Sequence, residues 1–436
     1  MNRPSAVPIF ISIALCVVLG GVVFHAPLTV WLGTFLPSSY ELILKSWKEL
    51  ILALMFSVLT VQVIRRGIYR DVAKDWFFRI AGIYAVIHIL TLLWSWHGIT
   101  PTFAGLLIDL RFVLAAVVVY GFVKLYPGLR QLLVKTLLVA GAASLLFAVL
   151  QVTVLPRNIL EYIGYHKGTT IAPYMTVDQN YDFVRINGTL RGPNPLGAFA
   201  IIMLTVALSI LVVGYKKLTK QKRLFLGILG LCALIALWYS YSRSALFAGV
   251  AAIAFIFGYS GMRRAPRQTI GIVTGVVLTG IITLVLTWHT SFVQNVIVHE
   301  NPAGGGEISS NDQHAESLRT GWHRLLTQPF GAGVGSTGSA SLYGTQPLII
   351  ENQYLFVAHE VGWLGLIAFL ALLGLVIRRL WQRRNSDSLA LGLLASGVAL
   401  SLIGILLPVW VDDTVSIVWW SLTAAVIASP LARTKK

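Results

Sequence analysis

The stretch ENQYLFVAHEVGWLGL (351–366) carries ionisable side chains at the border between a polar segment and an apolar one. Glu351 begins it, and His359 and Glu360 follow two helical turns later, before the sequence becomes wholly apolar. A carboxylate or an imidazole in such a place can accept a proton from a hydroxyl group. We expect these residues to face the mouth of a cavity; the alternative is that they only mark the interfacial end of a membrane span.

Arginines next to other apolar stretches could bind phosphate. In RINGTLRGPNPLGAFA (185–200), Arg185 and Arg191 precede a proline-marked helix start, where guanidinium groups and free N–H groups together suit a phosphate. In YSYSRSALFAG (239–249), Arg243 lies between two apolar runs without a neighbouring acid. An anionic ligand would suit all three arginines. Solvated loop positions, or snorkelling of Arg243 to the interface, would explain them equally well.

Two further segments hold polar groups. In HAESLRTGWHRLLTQPFGAGVGSTGS (314–339), leucines and a tryptophan recur at helical spacing, which predicts an amphipathic helix over 315–327 with His314, Arg319 and His323 as its polar groups. The glycine run after it lacks the Gly-Lys-Ser/Thr of a nucleotide-binding loop. In LLIDLRF (106–112), Asp109 and Arg111 are predicted to form an internal ion pair.

Composition places these segments in a membrane. Of the 436 residues, 56% are hydrophobic and only 12% are charged, and the mean hydropathy is +0.76. The apolar runs are continuous, which favours helices over a barrel. We predict an all-α polytopic protein, one integral membrane domain over 1–436. About twelve transmembrane helices are expected at 7–24, 47–64, 77–96, 104–123, 132–154, 195–214, 224–241, 244–261, 269–288, 357–377, 388–407 and 415–431.

The net charge of +17 follows the same topology. With a cytoplasmic N-terminus, the inner loops and tails hold 22 Lys and Arg and the outer loops hold 8, as the positive-inside rule requires. Two loops, 155–194 and 289–356, are long and external. No nucleic-acid partner is expected, and the two cysteines fall within predicted spans, so neither a disulfide nor a metal site is indicated.

Four motifs in order carry a resemblance. RINGTLRGPNPLGAF, then SRSALFAG, then SLRTGWHRLLTQPFGAGVGS, then ENQYLFVAHEVGWLGLIAFL resemble segments of the O-antigen ligase/polymerase superfamily, over about 185–375. The resemblance implies a multi-pass enzyme of the bacterial inner membrane, with its active site facing the periplasm or exterior. It implies transfer of a glycan from an undecaprenyl-pyrophosphate carrier to a sugar acceptor, either a lipid-linked glycan or the lipid A core, without a metal or cofactor.

The resemblance also assigns roles. Arg185 or Arg191, Arg243 and Arg319 would bind the pyrophosphate, and Asn352, Tyr354 and His359 would line the cavity. The ligases carry a His–Asn pair where this chain has Glu351–Asn352, which favours a polymerase or another ligase-like branch. Glu351 is therefore the first candidate for the base that activates the acceptor hydroxyl, and His314 is the second.

Other interpretations stay open. Glu351 could instead form an ion pair with Arg319 or cap the helix that follows it. Arginines in a central cavity would also serve a transporter or flippase for a lipid-linked or anionic solute. In a non-catalytic assembly protein, the arginines would be scattered without a common pocket.

Overall fold

Helices make up nearly all of the regular structure in the computed structural model, which describes residues 8–177, 179–262, 265–298 and 310–429. The α-helices of these residues are α1 (Ile9–Gly21), α2 (His25–Gly33), α3 (Glu41–Lys45), α4 (Trp47–Arg65), α5 (Tyr69–Lys74), α6 (Trp76–Thr91), α7 (Ile99–Leu125), α8 (Leu129–Thr153), α9 (Pro193–Gly214), α10 (Lys220–Tyr239), α11 (Arg243–Met262), α12 (Pro266–Leu286), α13 (Ser310–Thr327), α14 (Gly338–Ser341), α15 (Gln353–Arg383), α16 (Ser388–Ile403) and α17 (Asp413–Ala428). A short antiparallel hairpin, β1 (Met175–Val177) and β2 (Asn180–Arg185), pairs Met175 with Arg185.

The apolar helices make this an all-α membrane protein. Within the described ranges, eight helices are long and apolar enough to cross a membrane: α1 with α2, α4, α7, α8, α9, α10, α11 and α15. Three more apolar helices, α6, α16 and α17, are shorter. Each of the twelve predicted spans overlaps a helix: these eleven, with α1 and α2 counted as one, and α12. Twelve as the number of spans stays a prediction, because length and composition qualify eight.

Helix α17 lies at the centre of the bundle, since every one of its residues is buried. It packs most extensively against α7, while α9 packs against α10 and α16. Aromatic rings pack around α17: the ring of Phe112 on α7 lies 4.9 Å from that of Trp420, and the ring of Trp410, in the turn before α17, lies 5.0 Å from that of Trp419. The helices whose ends form the candidate site pack around this buried centre.

Contacts between helix ends divide the molecule into two ends. At one, which we call the basic end, the ends of α6, α7, α15 and α17 meet; at the other, the loop end, the long loops lie on the ends of α7, α10 and α15. Examples at the basic end are Lys124 with Asp75 and Arg383 with Ser429, and at the loop end Arg185 with Ser240 and Asn352 with Ile405. Two further contacts, Arg66 with Tyr126 and Arg130 with Asp387, join the end of α4 and the starts of α8 and α16, which are also predicted to be cytoplasmic, to the basic end.

Candidate functional site

The two candidate bases, His314 and Glu351, contact each other at the loop end. His314 Nδ1 meets Glu351 Oε2, and each side chain is about one-third exposed (32% and 31%). The backbone holds this pair in place, because the Glu351 N–H donates to Ser317 Oγ over 2.7 Å, and Ser317 Oγ donates to Ile349 O. Ser317 lies one turn after His314 on α13, so α13 lies directly beside residues 349–351. A carboxylate on one imidazole nitrogen leaves the other nitrogen available to accept a proton.

Arg243 lies close to this pair through α13. Its guanidinium donates to Asn311 Oδ1 over 2.9 Å and to the carbonyls of Ile297 and Val298 over 3.4 Å. Asn311 and His314 are three residues apart on α13, so their side chains are neighbours about 5–6 Å apart at Cβ. The first turn of α13 therefore joins a fixed guanidinium to the His314–Glu351 pair.

Arg185 is bound to the turn that carries Arg243. Its Nε donates to Ser240 O over 2.9 Å and its Nη2 to Asn194 Oδ1 over 2.6 Å, at the start of α9. The turn between α10 and α11 is tight, with Tyr241 in the left-handed region at φ 43°. The β hairpin brings Arg185 to this turn, so two of the four candidate arginines are anchored at the same place.

Arg191 and Arg319 lie elsewhere on the loop end. Arg191 is exposed and lies near Asp412, the residue that caps α17 by accepting from the Val415 N–H. Arg319 is exposed on α13, two residues after Ser317, which places it about 200° around the helix from the face on Glu351. Glu351 thus contacts His314 rather than Arg319.

The residues after Glu351 are held by structural contacts. Asn352 caps α15 by accepting from the Tyr354 and Leu355 N–H groups, so Glu351 is not the cap. The Tyr354 hydroxyl donates to Ser401 O over 2.8 Å, and His359 Nδ1 lies 3.1 Å from Gln328 Oε1. His359 is almost fully buried. These contacts fix the start of α15, and with it the position of Glu351.

The predicted ion pair between Asp109 and Arg111 is wrong. Residues two apart on a helix point about 200° away from each other, so they cannot meet on α7. Asp109 instead lies 3.9 Å from His88 Nε2, and Arg111 reaches Glu49 over 3.5 Å. Each therefore belongs to a different buried cluster.

One cluster brings two buried carboxyl groups, Asp109 and Glu360, next to each other, and Asp109 Oδ2 and Glu360 Oε2 have no hydrogen-bond donor among the described residues. A hydrogen bond between the two groups would require one of them to be protonated. The other oxygen of Glu360 accepts the backbone N–H groups of Gly335 (3.1 Å) and Thr337 (3.2 Å). Thr337 Oγ1 in turn accepts the Ile350 N–H over 3.2 Å. Glu360 therefore holds the glycine-rich loop that positions the residue before Glu351.

A kink in α15 makes room for that loop. Gly362 has φ 69° and ψ −170°, a conformation that breaks the helical ladder, and a Cβ there would collide with the backbone at Pro329 and Phe330. The freed groups bind the loop: Ala332 N–H donates to His359 O over 2.6 Å, and Trp363 N–H to Pro329 O over 2.9 Å. The sequence features that indicate this contact between loop and helix are the glycine run and a glutamate inside an apolar helix.

The second cluster, which we call the buried charge network, joins α2, α4, α7 and α17. Asp413 Oδ2 lies 3.0 Å from His25 Nε2, 3.1 Å from Lys48 Nζ and 3.6 Å from Arg111 Nη1. Glu49 Oε1 contacts the same Lys48 and Arg111. His25 Nδ1 accepts the Trp47 indole N–H, so its Nε2 carries the proton and donates to Asp413. The network thus contains two basic side chains, two acidic side chains and one imidazole.

No group of three or more His, Cys, Asp or Glu side chains in the described part of the chain could hold a metal ion. Comparison with protein families finds no family model that matches the chain, and comparison with curated proteins finds no significant match. The architecture itself defines the class as a helical membrane protein. Its loop end carries a His–Glu pair, two anchored arginines and two buried clusters of ionisable groups.

Proposed function

We propose that the protein is a metal-independent membrane glycosyltransferase. It would transfer a glycan from an undecaprenyl-pyrophosphate carrier to a sugar hydroxyl at the outer face of the bacterial inner membrane, as a surface-polysaccharide polymerase or an O-antigen ligase-like enzyme. The acceptor would be a lipid-linked glycan or the lipid A core. The observation that carries this proposal is the His314–Glu351 pair, one helical turn from the Asn311 side chain that binds Arg243.

The pair suits activation of a hydroxyl group. The acceptor oxygen attacks the anomeric carbon of the donor sugar, its proton passes to His314 Nε2, and the bond to the pyrophosphate oxygen breaks. Glu351 on Nδ1 orients the ring and stabilises the imidazolium that forms. This gives the two candidates complementary roles, with the imidazole as proton acceptor and the carboxylate as its partner.

The anchored arginines suit the leaving group. The polyprenyl pyrophosphate departs as an anion, and fixed guanidinium groups stabilise its charge without reorganisation. Hydrogen bonds to backbone and amide oxygens fix the guanidinium groups of Arg185 and Arg243 at the loop end, as this kind of charge stabilisation requires. Arg191 would extend this positive region toward α17.

The test is transfer from a defined undecaprenyl-pyrophosphate oligosaccharide in proteoliposomes. His314→Ala and Glu351→Gln should each lower the rate roughly 10²–10⁴-fold, the usual effect of losing general-base catalysis, while the donor still binds. His323→Ala is the matched control, because His323 is exposed on the same helix and its side chain forms no hydrogen bond or ion pair with another described residue. Near wild-type transfer by both His314→Ala and Glu351→Gln would reject the proposal. Product size distinguishes a polymerase from a ligase.

A specific observation favours a second candidate, a transporter or flippase for a lipid-linked or anionic solute. Ionisable groups within membrane helices are costly and commonly mark ion or proton pathways, and His88, Asp109 and Glu360 are all buried in apolar helices here. In the same proteoliposomes, movement of labelled donor across the bilayer that survives His314→Ala and is abolished by Asp109→Asn would favour transport over transfer.

A further inference from the structure

A pocket at the basic end lies far from the candidate site. It has a volume of about 420 Å³ and is formed where the ends of α5, α6, α7, α15 and α17 meet. Trp76 on its rim is exposed, as tryptophans at a membrane interface are. The positive-inside pattern predicts that this end faces the cytoplasm, which would place the pocket near the lipid headgroups of the cytoplasmic leaflet.

The pocket has more positive than negative groups. Its ionisable lining consists of four bases and two acids: Lys74, Lys124, Arg379, Arg383, Asp71 and Asp75. The difference is a net charge of +2. A concave surface with such an excess attracts anions, and basic pockets between helices on the cytoplasmic side bind anionic headgroups.

Asp75 neutralises only one wall. Its carboxylate accepts from Lys124, from Arg379 over 2.9 Å and from the Tyr120 hydroxyl over 2.7 Å. Burial alone would raise the pKa of Asp75, but the hydrogen bonds from Lys124, Tyr120 and Arg379 outweigh it and hold the pKa well below its usual value. Asp75 is therefore a fixed anion whose charge is compensated by these neighbours.

Arg383 forms the opposite wall and is not neutralised in this way. It is half-buried, and its guanidinium donates to the backbone carbonyls of Ile427 (2.9 Å) and Ser429 (3.0 Å). Among the described residues no carboxylate lies within 4 Å of it. Asp387, which acts on it across a longer distance, is bound to Arg130. Lys74 at the rim is exposed and forms no ion pair with another residue of the described ranges.

We propose that this pocket binds the phosphate of an anionic phospholipid headgroup from the cytoplasmic leaflet, with Arg383 and Lys74 as its principal contacts. The guanidinium is already aimed by two carbonyls, so it can present its remaining N–H groups to phosphate oxygens at little entropic cost. The acyl chains would lie along the apolar surface beside α6, below Trp76. This inference is independent of the proposed function.

The test measures lipid binding to the purified full-length chain by native mass spectrometry and by apparent Tm. Phosphatidylglycerol should bind more tightly than phosphatidylcholine and raise the apparent Tm. Arg383→Gln should weaken phosphatidylglycerol binding by roughly ten-fold or more, as loss of a charge-assisted contact does. Lys74→Gln should weaken it about five-fold, the usual effect of one base near a charged surface.

Arg223→Gln is the matched control. Arg223 is also half-buried on a predicted cytoplasmic segment and also donates to a backbone carbonyl, that of Tyr215, but lies outside the pocket. It should leave binding unchanged. If Arg383→Gln does not fold, the exposed Lys74 decides the test. The proposal is overturned if Arg223→Gln weakens phosphatidylglycerol binding as much as the pocket variants do, or if phosphatidylcholine binds as tightly as phosphatidylglycerol. It is also overturned if soluble glycerol phosphate binds as tightly as the lipid.

Discussion

Replacement of Glu360 tests whether the buried carboxyl pair shares a proton. In Glu360→Ala, the Gly335 and Thr337 N–H groups lose their acceptor, and Asp109 loses its partner. Each buried donor left without a partner costs about 1–3 kcal/mol. With the cavity left by the side chain, the free energy of unfolding should fall by about 3–6 kcal/mol.

Glu360→Gln should cost far less. The amide oxygen can accept the same two N–H groups, and the amide nitrogen can donate to Asp109 in place of the shared proton. The expected loss is below about 1 kcal/mol. At roughly 1–2 °C per kcal/mol for a chain of this size, the apparent Tm should drop by roughly 3–12 °C for alanine and by no more than about 2 °C for glutamine.

The chain contains its own reporters for this measurement. Cys232 is buried and Cys16 is partly buried, so a thiol-reactive fluorophore reports their exposure as the protein unfolds. Two results would refute the reasoning. Equal loss in the alanine and glutamine variants would mean that the carboxyl group has a role an amide cannot copy. A rise in apparent Tm for Glu360→Gln would mean that both carboxyl groups were ionised and repelled each other.

Three further predictions follow from other parts of the structure. Asp413→Asn should lower the free energy of unfolding by about 3–5 kcal/mol, because it leaves buried cations uncompensated. Glu41→Gln breaks an exposed ion pair and should lower it by less than about 1 kcal/mol. Thermal unfolding measures both effects. Arg243→Lys should reduce glycan transfer roughly ten-fold or more, since an ammonium group cannot copy the planar fork of N–H groups with which the guanidinium reaches Asn311 and the Ile297 and Val298 carbonyls; the transfer assay checks it, and an unchanged rate would contradict it. In a cysteine-free background, an impermeant maleimide should label Thr169→Cys but not Ser386→Cys in intact cells, and equal labelling would contradict the topology.

The sequence was sufficient for the fold class because apolar length is a local property. Each predicted span overlaps a helix, and the helix predicted over 315–327 is present within α13, since its apolar spacing and the proline and glycines after it are all local signals. The short helix α17 is different. Its apolar composition predicts a span, but its central, fully buried position depends on packing against α7, which no local pattern encodes.

The candidate site was only partly predictable for the same reason. Glu351 and His314 were each identifiable by residue type, but their contact depends on how α13 lies beside residues 349–351. Sequence proximity was misleading for Asp109 and Arg111, whose true partners come from other helices. The buried charge network shows the problem most clearly, because Asp413 is joined to residues far away in the chain.

The two glutamates of the opening stretch have different environments, and this argues for different roles. Glu351 is about one-third exposed beside an imidazole, so a substrate can reach it. Glu360 is fully buried beside Asp109, with one oxygen used by two backbone N–H groups and the other without a hydrogen-bond donor among the described residues. A carboxyl group so enclosed cannot contact an acceptor sugar, but it can fix the loop that leads through Thr337 and Ile350 to Glu351. The polar residues at this border are therefore best explained as one exposed reactive group and one buried support, connected by a loop whose glycines permit its close approach to α15.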